Sequence, residues 1–261
     1  MQITAFYRTF DGDNTKPRPP YYSKRLAFES FLQSWCRVPA SSRRLVIAVD
    51  SPRLPRSVES LVESHADEVR YLGQRGNSLA YRAVLAASTE LDDDGLVYHA
   101  EDDYLYHPDA FPELLAAAAR LPRAHYFTLY DHRDRYTRSD DAHLGRREFI
   151  ALGGNRHWRA CESTCMTFAA RTRTLKRDAF LHRLMTGNKF PHDRLLWRIA
   201  QGIGMFWWKV PKRVLISPMP SLATHLDPEF IAPVVDWAEV AAGVARASAG
   251  EGVERVEHFG G

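Results

Sequence analysis

Three adjacent carboxylates, Glu101, Asp102 and Asp103, stand in the stretch HAEDDYLYHPDAF (99–111), between a short apolar run, GLVY, and an Ala-rich segment, PELLAAAARL. On an extended backbone Glu101 and Asp103 point to one face and Asp102 to the other. The residues alone allow two readings. They form a polar turn that caps the following helix, or they hold a hard divalent cation, Mg2+ or Mn2+, which prefers carboxylate oxygens and shares them with substrate phosphates. Other residues able to do chemistry are scattered. Asp50 ends the apolar run RRLVIAVD, and Tyr7 and Arg8 end MQITAFYR. Asn77 and Arg82 lie in RGNSLAYR, where Asn77 is also a ready helix cap and Gly76 allows close backbone approach. His192 and Asp193 open PHDRLLWR, where an acid suits a helix N-terminus. His225 in SLATHL is a metal ligand or a structural histidine.

The elements that position these residues follow from hydrophobic pattern. Residues 1–8 read as a first strand, followed by a turn-rich loop, FDGDNTKPRPPYY. Helices are expected over 24–35, 57–65, 79–89 and 108–121, and strands over 43–50, 68–72, 95–103 and 124–132. Strand and helix thus alternate, the pattern of an α/β protein with a mostly parallel central sheet and helices on both faces. Ligands of such sheets sit outside the carboxyl ends of the strands, so the loops after Arg8, Asp50, Leu72 and Ala100 should share one rim. An acid at a strand end on that rim is a turn residue or a nucleotide contact. The second half is less regular. REFIALGG and CESTCMTFAAR read as strands joined by NRHWRA, helices are expected over 176–185 and 194–201, WWKVPKRVLISP is strand-like, and a last amphipathic helix covers 233–247 before a Gly-rich end. Trp158, Glu162 and the Trp207–Trp208 pair fall in this half, as acceptor contacts or, for the Trp pair, as core.

At this point the pattern strand, Glu-Asp-Asp, apolar run, Pro-Asp-x-Phe, helix resembles the GT-A glycosyltransferases, which carry a DXD-type motif there. Within them it is similar to N-acetylglucosaminyltransferase I-like and family 2-like enzymes. The likeness spans residues 1–225 and is clear at the acidic triplet and at the Asp193 segment; elsewhere the chain departs from it. The resemblance implies a GT-A (nucleotide-diphospho-sugar transferase) fold and a metal-dependent, inverting transfer of a sugar from a nucleotide diphosphate sugar, UDP favoured, to an acceptor hydroxyl. It implies that Asp103 binds the metal, with His225 as a further ligand and Glu101 and Asp102 nearer the sugar and ribose. It places Asp50 at the base or ribose, Tyr7 at the base, Arg8 at the diphosphate, and Asn77 and Arg82 on a donor-contacting loop and helix. Asp193 becomes the general base, with His192 tuning it or contacting the acceptor. The acceptor is a glycan, a small molecule or a modified nucleobase. A sugar-phosphate nucleotidyltransferase shares the fold, but its Gly-rich first loop with a basic grip on a triphosphate has no counterpart in the Pro-rich loop here. A non-catalytic nucleotide- or glycan-binding module is the remaining alternative.

Bulk properties bound the reading. The chain has 261 residues, 45% hydrophobic and 26% charged, which suits one globular catalytic domain. It divides as a nucleotide-sugar half (1–132), an acceptor half (133–232) and a C-terminal helix and tail (233–261). A net charge of +3 argues against nucleic acid and membrane surfaces, although 133–138 and 171–177 are locally basic and suit a nucleotide diphosphate. Cys36, Cys161 and Cys165 match no zinc spacing and read as thiols of a reducing compartment. With no signal peptide and no apolar run near 18 residues, no membrane span and a cytoplasmic location are expected. Heavy use of Arg and Ala suits a bacterial or phage source, and no oligomeric state is read from the sequence.

Overall fold

The computed structural model describes residues 1–12, 15–73, 75–137, 149–187, 192–203 and 212–250. In chain order the elements are β1 (Ile3–Thr9), α1 (Lys24–Trp35), β2 (Arg43–Val49), α2 (Glu59–His65), β3 (Glu68–Tyr71), α3 (Asn77–Ser88), β4 (Leu96–Glu101), β5 (Tyr104–Tyr106), α4 (Ala110–Arg120), β6 (Tyr126–Phe127), α5 (Asp134–Thr137), β7 (Ile150–Gly153), β8 (Arg156–Ala160), β9 (Phe168–Arg171), α6 (Thr172–Met185), α7 (Asp193–Ala200), β10 (Leu215–Met219), β11 (Ala223–His225) and α8 (Trp237–Ser248). Nine strands form one sheet in the order β3-β2-β1-β4-β9-β6-β10-β8-β7, and β5 pairs with β11 in a separate two-stranded sheet. Only β8 and β9 run against the common direction, so the sheet is mostly parallel. Both halves of the chain contribute strands to it.

The first half folds as its pattern predicts. Apolar β1, β2 and β4 pair in parallel with helices on either side, as a doubly covered sheet requires. Helix α1 starts where Ser23 accepts the Leu26 amide (3.0 Å), and its stripe of Phe28, Phe31 and Trp35 enters the core. Phe31 meets Tyr7, Trp35, Tyr106 and Phe111 with ring centroids 4.9–5.6 Å apart, mostly edge to face. Helix α8 starts at Trp237 rather than at Pro233 because Asp236 accepts the amides of Ala238 and Glu239.

The second half corrects three expectations. The strand expected over 124–132 shortens to β6 (Tyr126–Phe127), and β9, from far later in the chain, runs antiparallel between β4 and β6. Its Arg171 closes the junction by donating to the carbonyls of Ala124, Ala118 and Leu121. NRHWRA is not a connection but β8, the hairpin partner of β7, turned at Gly154 with φ +64°. Its Trp158 is core, the indole N–H donating to Gly153. Strand β5 was not expected at all. The Trp207–Trp208 pair lies outside the described residues. No helix among the described residues is long and apolar enough to cross a membrane.

On the face opposite α1, Phe6, Tyr81, Tyr126, Phe168 and Trp197 form a second core that encloses a polar network. Arg213 makes a two-pronged pair with Asp178 (2.5 and 2.7 Å), Tyr126 donates to Asp178 (2.8 Å), and the His182 ring lies between Tyr126 (3.3 Å) and Tyr81 (2.6 Å). With the Tyr126 proton committed to Asp178, a neutral ring satisfies both contacts, Nε2–H donating and Nδ1 accepting. Burial pushes His182 down from 6.5 to about 4. His99, buried on β4 beside Ser88, is held well below its ordinary value, first by burial and then by Arg8. A histidine whose folded value is depressed contributes stability at pH above its unfolded value, and that contribution is lost as pH falls toward the folded one. Urea midpoints should therefore drop between pH 6.5 and 4. His182 alone should account for about 3 kcal/mol of that loss, and His182→Gln should remove its share of the slope. A flat stability profile across that window would show that these rings are not buried neutral.

Candidate active site

The register of the central strands places the acidic triplet. In the parallel β1–β4 pair Arg8 lies opposite Glu101, and the two side chains form an ion pair at the carboxyl end of both strands. One residue on, Thr9 donates to Asp102 (2.7 Å). The triplet is not an extended segment, because β4 stops at Glu101 and Asp102–Asp103 make a tight turn into β5. The three side chains consequently diverge to three different partners. Glu101 meets Arg8. Asp102 meets Lys24 from the start of α1 (2.8 Å). Asp103 meets Arg18 from the Pro-rich first loop (3.0 Å) and the His225 ring (3.2 Å). His225 arrives through β11, which lies antiparallel to β5 with His225 opposite Tyr104, while the Leu226 amide donates to the Asp103 carbonyl (2.8 Å).

Arg8, Thr9, the three acids and His225 line a cleft of about 580 Å³ together with Phe10, Lys16, Asp50, Gly76, Asn77, Ala80, Cys165, Met166 and Phe230, while Arg18 and Lys24 lie outside its lining. The loops after β1, β2, β3 and β4 thus do meet on one rim, as strand-end geometry requires. Asp50 accepts the amides of Arg75 (2.6 Å) and Gly76 (2.8 Å), which ties the β3–α3 loop to the end of β2. Asn77 does not cap α3. Gly76 occupies the cap with φ +76°, and the Asn77 side chain instead accepts from Arg8 (2.8 Å). No atom lies within 4 Å of a Cβ built at Gly76, so glycine is required there for its left-handed backbone rather than for close approach.

Burial dominates the charges. It pushes Glu101 up to about 7, with Asp103 and Asp102 adding to the rise and Arg8 opposing it. It raises Asp102 too, against Lys24. Burial also works against a charged Asp103, but the His225 ring and Arg18 more than offset it and hold that carboxyl well below the carboxylate range. Asp103 Oδ1 and His225 Nδ1 are buried with no hydrogen-bond partner. Lys24 is held further by the Phe10 carbonyl (2.6 Å) and lies 3.6 Å from the centre of the Phe10 ring.

The remaining expected site residues are placed as follows. Tyr7 does not reach the cleft: it is core, packed on Phe28 and Phe31, because its place in β1 points it to the α1 face. Arg82 is half-buried on α3, outside the cleft lining. Asp193 opens α7 and accepts from Ser163, Thr164 (3.4 Å) and Trp197 (2.6 Å); it is not itself among the residues lining the cleft, to which Cys165 of the adjoining loop belongs. His192 precedes it, exposed, its amide donating to the Met185 carbonyl (2.9 Å). Among the basic segments, Arg171 serves backbone carbonyls, while Arg173 and Lys176 pair with Asp94 (2.8 Å) and Asp93 (2.7 Å), away from the cleft. Glu162 faces Arg135 at 3.8 Å.

Sequence reasoning missed Arg18, Lys24 and the loop before β9. The cations were visible only as basic residues beside a Pro-rich turn. In the loop, Cys165 and Met166 take φ of +49° and +64°, a conformation costly for side chains larger than glycine and concentrated at functional sites. The Cys165 thiol is pushed well up, first by burial and then by Asp193 and Glu101, so it lies in the field of both acids.

The nine-stranded, mostly parallel sheet flanked by helices, with its cleft at the carboxyl ends of the strands, is an α/β fold of the GT-A kind. Among solved structures the chain is similar to S. aureus TarS: a 1–349 form at TM-score 0.52 and 12% identity, covering 96% of this chain and 65% of that one. A longer TarS structure gives TM-score 0.51 and 14% identity, with 97% of this chain and 41% of that one covered. A CMP:2-keto-3-deoxy-manno-octonic acid synthetase complexed with CTP superposes at TM-score 0.46 and 11% identity over 95% of this chain and 100% of that chain. No family model matches the chain, and no curated protein matches it.

The Lys24–Asp102 pair is buried, so removing one partner strands the other. Lys24→Ala should cost about 3 kcal/mol in urea unfolding, and adding Asp102→Asn should recover part of it. A Lys24→Ala protein within about 0.5 kcal/mol of wild type would show that the pair carries no structural weight.

Proposed function

We propose that the chain is a metal-assisted glycosyltransferase that moves a sugar, with inversion, from a nucleotide diphosphate sugar to an acceptor hydroxyl. The observation that carries the reading is the convergence of Asp103, His225, Glu101 and Arg8 on one cleft at the carboxyl ends of the parallel strands. The donor set suits Mn2+ or Mg2+. Asp103 has one unpartnered oxygen and an imidazole beside the other. That matches a hard cation held by one or two protein groups and completed by substrate phosphates. When bound, such a cation supplies neutralisation of charge developing on the leaving diphosphate.

The chain's own residues divide the remaining work. Arg8, fixed by Glu101 and Asn77, sets a permanent positive charge at the cleft floor. Asp50, through the Arg75 and Gly76 amides, fixes the loop that borders the nucleotide side. Asp193 takes the proton of the attacking hydroxyl, with Ser163, Thr164 and Trp197 orienting its two oxygens and His192 beside it. UDP is the favoured donor base, and a glycan, a small molecule or a modified nucleobase is the acceptor class. A nucleotidyltransferase is the second reading, favoured by one observation: the first loop and the start of α1 do bring cations, Arg18 and Lys24, to the triplet.

A thermal-shift panel of nucleoside diphosphates, with and without Mn2+, tests the donor half. UDP and Mn2+ together should stabilise the protein by about 2.7 kcal/mol at a hundredfold excess of UDP over Kd beyond what Mn2+ alone gives, UDP without Mn2+ should have little effect, and Asp103→Asn should abolish the effect. No stabilisation by any nucleoside diphosphate would sink the proposal, while stabilisation by a nucleoside triphosphate with pyrophosphate release would favour the second reading. Asp193→Asn should lower kcat about 10²–10⁴-fold and leave donor stabilisation unchanged; retained turnover would move the base elsewhere.

A further inference from the structure

Each acid of the triplet has its own cation: Arg8 for Glu101, Lys24 for Asp102 and Arg18 for Asp103. The three cations are not equally fixed. Arg8 sits in β1, inside the sheet, and also donates to the side chain and carbonyl of Asn77 (2.8 and 3.2 Å). Lys24 is the first residue of α1, and its ammonium is shared among Asp102, the Phe10 carbonyl and the Phe10 ring. Arg18 alone comes from a loop without regular structure, flanked by the exposed Lys16, Pro17 and Pro20. Its guanidinium spans Asp103 and the Leu226 carbonyl (2.7 Å), packs on the Tyr22 ring at 4.7 Å, and leaves Nε without a partner. Like Lys24, it borders a second hollow of about 510 Å³, lined by Asp11, Ser23, Pro55 and Arg56 among others.

We infer that Arg18 is a displaceable cation. In the ligand-free protein it neutralises Asp103, the one acid of the triplet with an unpartnered oxygen and a neighbouring imidazole. A divalent cation held between His225 Nε2 and Asp103 must sit at Oδ2, the oxygen that Arg18 also contacts, and two cations on one buried carboxylate oxygen repel each other, so its seating breaks the Arg18–Asp103 contact. The released guanidinium stays on its loop at the rim, where its planar fork of donors suits a diphosphate oxygen pair. Arg18 is thus a positioning residue that exchanges an internal anion for the substrate's, and it couples metal seating to donor binding. The inference rests on the glycosyltransferase reading of the cleft.

The test is Mn2+ binding to the full chain, followed by the free-ion electron paramagnetic resonance signal without nucleotide. Arg18→Gln should bind Mn2+ roughly tenfold more tightly than wild type, since one charge-assisted contact no longer competes. Arg18→Lys, which keeps the charge, should stay nearer the wild-type value. At saturating Mn2+, Arg18→Gln should bind UDP roughly tenfold more weakly. Mn2+ affinity unchanged or weakened in Arg18→Gln, while Asp103→Asn abolishes Mn2+ binding, would overturn the role of Arg18 and leave the glycosyltransferase reading standing. Mn2+ binding untouched by Asp103→Asn would remove both, since the cation would then lie elsewhere.

Discussion

Three carboxylates on one buried strand end are tolerable only if each finds a cation, and much of the structure follows from that requirement. Two unit charges about 4 Å apart interact by several kcal/mol at protein-like dielectric, far more than a turn's local propensity can offset. The parallel register of β1 on β4 satisfies the first acid through Arg8. The second needs α1 to begin where it does, with Lys24 over the turn. The third draws the first loop across the cleft to deliver Arg18 and draws β11 alongside β5 to deliver His225. An acid pattern that reads as local is therefore the tie between the first strand, the first loop, the first helix and the last strand.

What the sequence carried, and what it did not, divides along the same line. The strands and helices of the first half were legible because their apolar spacing is local: α1 was expected over 24–35 and lies at Lys24–Trp35. The rim was legible because it follows from parallel topology. Partner identity was not legible, since it depends on register and on segments distant in the chain. Asp50 shows the difference. Its position at a strand end was readable, but its two amide partners come from a loop whose path depends on Gly76. Tyr7 fails for a simpler reason: on a strand covered on both faces, adjacent residues Tyr7 and Arg8 point opposite ways, and only one of them can reach the cleft. Strand β9 was read as a strand, yet no pattern within FAAR says that it lies between β4 and β6.

The wall of the cleft formed before β9 is organised less by charge than by strain. Cys165 and Met166 both adopt left-handed backbone, and the loop that bends there places Ser163 and Thr164 on Asp193 while turning Cys165 and Met166 into the cleft. Such a conformation persists only where its surroundings over-determine it. Here the restraints are the Asp193 contacts on one side and the β9 ladder on the other. The same loop thus determines both how the Asp193 carboxylate is oriented and what wall the cleft presents on this side.

The cations of the first loop bear on which reaction this fold performs. A nucleotidyltransferase needs basic groups held ready for a triphosphate, and Arg18 and Lys24 first look like such a grip. Both are already committed: Lys24 to a buried carboxylate, a carbonyl and an aromatic ring, and Arg18 to Asp103. Withdrawing Lys24 would leave Asp102 buried without its counter-charge, at a cost of several kcal/mol, so it is a structural cation. Only Arg18 can be exchanged, and one guanidinium exchanged against one metal-bound carboxylate suits a diphosphate better than the larger charge of a triphosphate. On the proposed reading, the balance of charge within the triplet, rather than the presence of acids, is what separates sugar transfer from nucleotide transfer.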